Sequence, residues 1–373
     1  MILAAIPPAF RLNARVRSEL LRNIRRVVVK LGTGILTDSR KRPDQVQFAQ
    51  LVAQVAALRA AGTEVVLVTS GAVGAGMGVL GHESRPASLA ERQACAAVGQ
   101  SRLMAMYEAL FRHYGLSVGQ VLLTHEDLAD HTRHLNARNT LLTLLKHGII
   151  PIINENDAVS VTELKFGDND RLSALVASLL PADLLVILTT ADGLLEGFGT
   201  PAERRISVVE RIDGAVEGMA GGTTSVTATG GMATKIQAAK IVLRSSIPLV
   251  IAPGRRFDVL ERILSGADEG TLFVPNSGRL PSRKRWIAFY HHAAGTLTVD
   301  AGARRALEEQ GRSLLAPGIR SHAGGFTAGE VVRICDEAGQ EFARGIARIG
   351  AADLASSATG RKEVVHRDDL VIL

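Results

Sequence analysis

The feature that most constrains the fold is the alternation, from Arg26 onward, of short β-rich apolar runs with longer helical patterns. The runs are Val27–Val29, Glu64–Thr69, Ser117–Leu123, Ile149–Ile153, Asp183–Thr189 and Pro248–Ala252. Each is close to continuous in Val, Ile and Leu, the pattern of a strand covered on both faces. Between them lie helical stretches at Asp44–Ala60, Ser88–His113, Thr132–His147, Leu172–Leu180 and Ala233–Ser245. Strand and helix repeated in this way predict an α/β fold: a three-layer αβα sandwich whose mostly parallel sheet is joined by right-handed crossovers. Ligands of such a sheet sit outside the C-terminal ends of its strands, where loops and helix N-termini converge.

The pattern changes near Pro275. A polar, Gly/Pro-bearing stretch at Asn276–Arg283 is followed by strand candidates at Arg285–Tyr290, Thr296–Val299, Glu330–Ile334 and Phe342–Ile346, with one helix at Ala301–Gln310. The expected organisation is a disordered N-terminal extension (1–24), an α/β domain (25–275), a linker (276–283) and a small, mainly β domain (284–373).

A sequence pI near 9.6 suggests nucleic acid until the charge is divided along the chain. Residues 1–26 hold six Arg against one Glu, net +5; residues 27–275 hold 23 basic against 25 acidic side chains, net −2; residues 276–373 hold 14 against 11, net +3. The large central segment is therefore not basic, and the electrostatic case for nucleic acid applies only to the ends. In the first ten residues the apolar run precedes the positive charges, the wrong order for a secretory signal, and no window approaches the ~18 apolar residues of a membrane span. Two distant cysteines, Cys95 and Cys335, exclude a disulfide framework and a Cys-based zinc site and fit a reducing compartment.

Four clusters fall where ligand loops belong. Lys30-Leu31-Gly32-Thr33-Gly34 follows the first strand, placing a point charge suited to phosphate beside a glycine turn; the GxxxxGK[ST] pattern of a P-loop is absent. Thr69-Ser70-Gly71-Ala72 ends the second strand, and by itself reads equally as a turn with a Ser cap. Gly76, Gly78 and Gly81 match GxGxxG but come too far after the strand to be a dinucleotide fingerprint. Asn154-Glu155-Asn156-Asp157 and Gly167-Asp168-Asn169-Asp170 bring carboxylates and amides to two loops, more than helix capping alone explains. Thr229-Gly230-Gly231-Met232-Ala233-Thr234-Lys235 is a glycine loop entering a helix with a lysine in its first turn. That lysine opposes the helix dipole at a cost of ~0.3–1 kcal/mol, a conflict that a phosphate at the same place removes. His125, His131 and His134 lack metal-site spacing and read as surface residues, as do His291 and His292.

The segments VVVKLGTG, VTSGAV, AAVGQSRLM, VGQVLLT, LNARNT, PIINENDAV, GDNDRLSALVA, TGGMATK, GTLF, RKRW and VHRDD, in this order across residues 26–369, resemble the glutamate 5-kinase branch of the amino acid kinase family, whose members carry a C-terminal PUA domain. The resemblance implies ATP-dependent phosphorylation of the L-glutamate side-chain carboxylate, the first step of proline biosynthesis. It implies Lys30, Lys235 and Asp170 as catalytic residues, with the two lysines on the ATP phosphates and Asp170 holding both. Ser70, Gly71, Ala72, Asn154, Asp157 and Asn169 are implied as glutamate-binding. Gly32, Thr189, Thr190 and the loop Thr229, Gly230, Gly231, Met232, Ala233, Thr234 are implied as nucleotide-binding, together with Lys30 and Lys235. Mg²⁺ accompanies ATP, and no residue is assigned as a metal ligand. Proline as feedback inhibitor, a homotetramer or homodimer, a cytoplasmic setting and no membrane partner complete the expectation. At one place the chain departs from the family pattern: Thr190 stands where Asp is common. The neighbouring alternatives are a related kinase acting on N-acetylglutamate, aspartate or a nucleoside monophosphate, and an RNA-binding role of the PUA-like part, which is not expected to be the main one.

Overall fold

The computed structural model describes residues 8–38, 42–159, 169–221, 231–275, 284, 287–288, 293–356 and 362–373. The chain divides into two compact units, Met1–Thr124 with Leu135–Arg279 and His125–His134 with Leu280–Leu373.

The first unit begins with helix α1 (Pro8–Leu21), followed by β1 (Arg26–Leu31), α2 (Thr33–Leu36), α3 (Gln45–Ala60), β2 (Glu64–Val68), α4 (Ala72–Met77), α5 (Leu89–Arg112) and β3 (Val118–Leu123). Helices α6 (His125–Ala129) and α7 (His131–Lys146) follow, of which residues 125–134 group with the second unit; then come β4 (Ile150–Glu155), α8 (Asn169–Leu179) and β5 (Leu184–Thr189). Short strands β6 (Leu195–Glu196), β7 (Arg204–Arg205) and β8 (Val208–Val209) precede α9 (Gly214–Gly221), α10 (Met232–Arg244), β9 (Leu249–Pro253), α11 (Val259–Leu264) and β10 (Thr271–Phe273). Among the described residues an eight-stranded sheet runs in the order β3-β4-β2-β1-β5-β9-β10-β8. It is parallel from β3 to β9, and β10 turns antiparallel against β9. All six strands expected from the apolar runs are present.

The sheet is covered on both faces. Val27, Val29 and Leu31 of β1 join a core with Phe48, Leu51, Leu103 and Tyr107 of α3 and α5, while the alternate residues Val28 and Lys30 point to the opposite face. There α8 is buried along almost its whole length. Its small residues Ser173, Ala174, Ala177 and Ser178 let α10 approach, and the Ser178 and Ser245 hydroxyls hydrogen-bond at 3.0 Å.

Two expectations need correction here. Residues 8–21 are helical, and the basic N-terminal segment is anchored by Arg17, whose side chain is fully buried. Its guanidinium donates to the carbonyls of Ser207 (2.7 Å), Ala267 (3.1 Å), Glu269 (3.0 Å) and Gly270 (2.7 Å). Burial, partly offset by Asp268, pulls its pKa down to about 10; it stays charged at neutral pH. The second correction concerns Arg285–Tyr290: its described residues, Ile287 and Ala288, are helical rather than extended, and buried.

In the second unit a six-stranded sheet has the order β12-β16-β15-β14-β11-β13. These strands are β11 (Gly295–Val299), β12 (Leu314–Leu315), β13 (Ile319–Ala323), β14 (Val331–Cys335), β15 (Glu341–Ala347) and β16 (Glu363–Ile372), accompanied by α12 (Ala301–Glu308) and α13 (Ala351–Ser356). Leu297, Phe326, Val332, Ile334, Phe342 and Val364 fill its separate core. His134 also departs from the surface reading: it is buried, and its Nδ1 lies 3.3 Å from the Leu128 carbonyl. His125 is partly buried and His131 exposed; His291 and His292 lie outside the described residues.

Two glycines, Gly76 and Gly99, let α4 and α5 meet closely. A Cβ on Gly99 of α5 would sit 1.7 Å from the Ala72 carbonyl oxygen of α4, a backbone atom that cannot swing aside. Gly99→Ala is expected to cost about 2–3 kcal/mol or more through overpacking, measured by denaturant unfolding of the purified chain; stability equal to the parent would show that the two helices can separate freely.

Candidate active site

The chemistry-bearing residues gather at the C-terminal ends of β1, β2, β4 and β5, the switch region of a doubly wound sheet. Asp170, in the first turn of α8, is completely buried and receives two lysines. Lys30, near the end of β1, places Nζ 2.5 Å from Asp170 Oδ1, and Lys235, in the first turn of α10, places Nζ 3.0 Å from Oδ2. The Thr234 hydroxyl donates to Oδ2 at 2.9 Å, and the Ser173 hydroxyl to the Asp170 backbone carbonyl at 2.6 Å. Burial alone would push the Asp170 carboxyl up; attraction and hydrogen bonding from Lys30 and then Lys235 outweigh it and hold the group well below the usual carboxylate range. Two ammonium groups around one carboxylate leave one net positive charge.

One residue earlier on α8, Asn169 organises a second cluster. Its Nδ2 donates to the Thr69 carbonyl (2.5 Å), Asn154 Oδ1 (2.8 Å) and Ser70 Oγ (3.2 Å). Thr69 is buried and its hydroxyl lies 2.7 Å from the Tyr107 hydroxyl of α5; burial, partly offset by that hydrogen bond, holds Tyr107 well above an ordinary phenol. Gly71 follows at φ 98°, the left-handed conformation that favours glycine, and opens α4 at Ala72. The loops that sequence separates by about a hundred residues therefore meet at Asn169.

The remaining expected residues fall around these two clusters. The Gly32 N–H donates to the Leu188 carbonyl at 3.1 Å, which sets the turn after β1 beside the end of β5, where Thr189 is partly buried and Thr190 exposed. A Cβ on Gly34 would come within 2.9 Å of Thr190 Cγ2; Thr190 therefore lies on the rim of the turn that follows Lys30. Gly231 caps α10, Met232 is buried and Ala233 exposed; Thr229, Gly230, Gly167 and Asp168 lie outside the described residues. Asp157, in the turn after β4, is partly buried and offsets the burial and the Arg92 repulsion that lower Arg85. Arg85 and Gln100 were not singled out by sequence reading. Gln100 stands in AAVGQSRLM, directly after the close-packed Gly99, and its Oε1 accepts from Asn154 Nδ2 at 2.8 Å.

Among the described residues no three His, Cys, Asp or Glu side chains form a metal cage. No described helix is long and apolar enough to cross a membrane.

The sheet, the buried lysine clamp and the amide cluster define an amino acid kinase, with a second unit appended. A model of the amino acid kinase family matches residues 25–253, and a model of the PUA domain matches residues 295–368. The chain is 46% identical to the glutamate 5-kinase of Syntrophotalea carbinolica, the alignment covering 96% of this chain and 100% of that protein. It is 46% identical to the glutamate 5-kinase of Moorella thermoacetica, over 95% and 97%, and 48% identical to that of Citrifermentans bemidjiense, over 96% and 100%. The chain belongs to the glutamate 5-kinase family.

Lys30→Ala or Lys235→Ala is expected to lower turnover by at least ~10²-fold, the scale of losing one preorganised electrostatic contact, read by coupled ADP release. Asp170→Asn leaves two buried ammonium groups without their counter-ion and is expected to cost about 3 kcal/mol. Because the folded carboxyl titrates below its unfolded value, the parent's advantage over Asp170→Asn is full above the ordinary carboxylate pKa and shrinks as the pH falls below it. Denaturant unfolding of both proteins across that range checks the sign; an advantage that grows in acid would contradict it.

Proposed function

We propose that the chain transfers the γ-phosphoryl group of ATP to the side-chain carboxylate of L-glutamate, forming L-glutamyl 5-phosphate and opening proline biosynthesis. The observation that carries this reading is the adjacency of Asn169 and Asp170 on the first turn of α8: one organises the amide cluster, the other the lysine clamp. An acceptor held by the first lies next to a polyphosphate held by the second, within the family that the relatives define.

The chemistry asks little else of the protein. A carboxylate nucleophile, with an ordinary pKa of about 4.3 for Glu, is already ionised at neutral pH and needs no general base. The task is to bring two anions together in line and to neutralise charge spreading over the transferred group. Lys30 and Lys235 do the second in a site where burial strengthens every charge. The N-terminus of α10, capped by Gly231 without a side-chain hydrogen bond, offers backbone N–H groups to the same phosphates. Ser70, Gly71, Ala72, Asn154, Asp157 and Asn169 are proposed to hold glutamate; Gly32, Thr189, Thr190 and the stretch from Thr229 to Lys235 are proposed to hold the nucleotide. Thr190 stands in for the common Asp by a backbone contact. Mg²⁺ would enter with ATP as part of the substrate, an ion that rarely takes an all-protein cage, and would neutralise phosphate charge there. The proposal extends to a cytoplasmic homotetramer or homodimer, domain limits at 25–275 and 284–373, and competitive inhibition by proline at the glutamate pocket.

The test is an acceptor panel: purified chain, ATP and Mg²⁺ with glutamate, aspartate, N-acetylglutamate or a nucleoside monophosphate, turnover being read by ADP release with each acceptor and the acyl phosphates of the carboxylate acceptors being trapped as hydroxamates. Hydroxamate with glutamate alone, suppressed by proline in competition with glutamate, is the expected result. Preference for any other acceptor would overturn the substrate reading.

A further inference from the structure

The amide cluster has a direction imposed by two backbone groups. The Glu155 N–H can only donate, and it donates to the side-chain oxygen of Asn154 at 3.0 Å. The Thr69 carbonyl can only accept, and it accepts from Asn169 Nδ2. Asn154 therefore shows its oxygen to Asn169 and its nitrogen to Gln100. Gln100 in turn must show its oxygen to Asn154, at 2.8 Å, and its Nε2 faces the other way. A flipped amide anywhere along Asn169, Asn154 and Gln100 would set donor against donor or acceptor against acceptor. Gln100 is 8% exposed, and its Nε2 is buried without a hydrogen-bond partner among the described residues.

A buried amide nitrogen with two hydrogens and nothing to accept them is costly, and it is relieved by an acceptor rather than by another donor. Of the groups on an acidic amino acid, the ammonium only donates; the carboxylates, with about four lone-pair sites each, accept. The same polarity runs through Ser70, whose oxygen accepts from Asn169 and whose own hydrogen is left to donate.

Building on the glutamate reading above, we propose that Gln100 is a specificity-determining residue of the acceptor pocket, with Oε1 holding Asn154 in its working orientation and Nε2 donating to a carboxylate of the acceptor. It has no role in gripping ATP. Gly99 beside it supports the assignment, because the overlap a Cβ would cause there fixes the height of this turn of α5 against Ala72.

The experiment compares the full-length parent with Gln100→Met and Gln100→Glu in steady-state kinetics, varying glutamate at saturating ATP and the reverse, with melting curves of each. Gln100→Met removes both hydrogen-bonding atoms, so KM for glutamate is expected to rise by about 10-fold or more, with KM for ATP within about twofold of the parent. Gln100→Glu keeps an acceptor for Asn154 but sets a negative charge against the substrate, and is expected to raise KM for glutamate further, the penalty shrinking as pH is lowered. If Gln100→Met fails to fold, the isosteric Gln100→Glu decides alone. KM for glutamate near the parent value in Gln100→Glu, or KM for both substrates rising together, would overturn the proposal. Lack of glutamate turnover by the parent itself is the separate result that would overturn the substrate reading.

Discussion

Everything in the site depends on one buried carboxylate shared by two ammonium groups. Asp170 has no exposed surface, and a lone charge there would be far too costly to keep. It is tolerated because Lys30 and Lys235 arrive from two different strand–helix units and neutralise it with hydrogen bonds as well as charge. The arrangement works in both directions. The carboxylate keeps two flexible lysine stems in one geometry before any ligand arrives, and the lysines together leave a surplus positive charge where a polyphosphate is proposed to sit. An enzyme that must align two anions gains most from cations that need no rearrangement at the moment of transfer.

The fold is arranged to deliver these three side chains. Lys30 alternates to the face of β1 opposite the Val27, Val29 and Leu31 core and so meets α8. Helix α8 is buried on nearly all sides because small residues let α10 close on it, which carries Lys235 and Thr234 to Asp170. On the far side of the first turn, Asn169 gathers the ends of β2 and β4. Two neighbouring residues thus tie together the two halves of the proposed reaction, and neither can shift without moving the other.

Much of this was legible in the sequence, for a physical reason. A strand covered on both faces has to be apolar throughout, so β1, β2, β4, β5 and β9 announced themselves, while the edge strand β3 is only partly buried; loops at the strand ends could be searched for charge. Lys30, Asp170 and Lys235 were found that way, but their convergence came from the family resemblance, since spacing alone cannot join residues about 65 and 140 positions apart. Other features were hidden because their cause is tertiary. Arg17 looks like one more charge in a basic tail until the carbonyls of Ser207, Ala267, Glu269 and Gly270 surround it. The two-residue edge strand Val208–Val209 and its three-residue neighbour Thr271–Phe273 are too short to show a period. Gln100 reads as a polar residue on a long helix; only its contact with Asn154, whose amide is oriented by the Glu155 N–H, gives it direction.

The most direct test of the lysine clamp is a crystal structure of the chain with a non-hydrolysable ATP analogue, Mg²⁺ and glutamate. Both ammonium groups are expected within hydrogen-bonding distance, about 3 Å, of phosphate oxygens while Asp170 still touches each of them, with the glutamate side-chain carboxylate facing the terminal phosphate. A complex with either lysine turned away from the phosphates, or with the nucleotide bound at another edge of the sheet, would contradict the account.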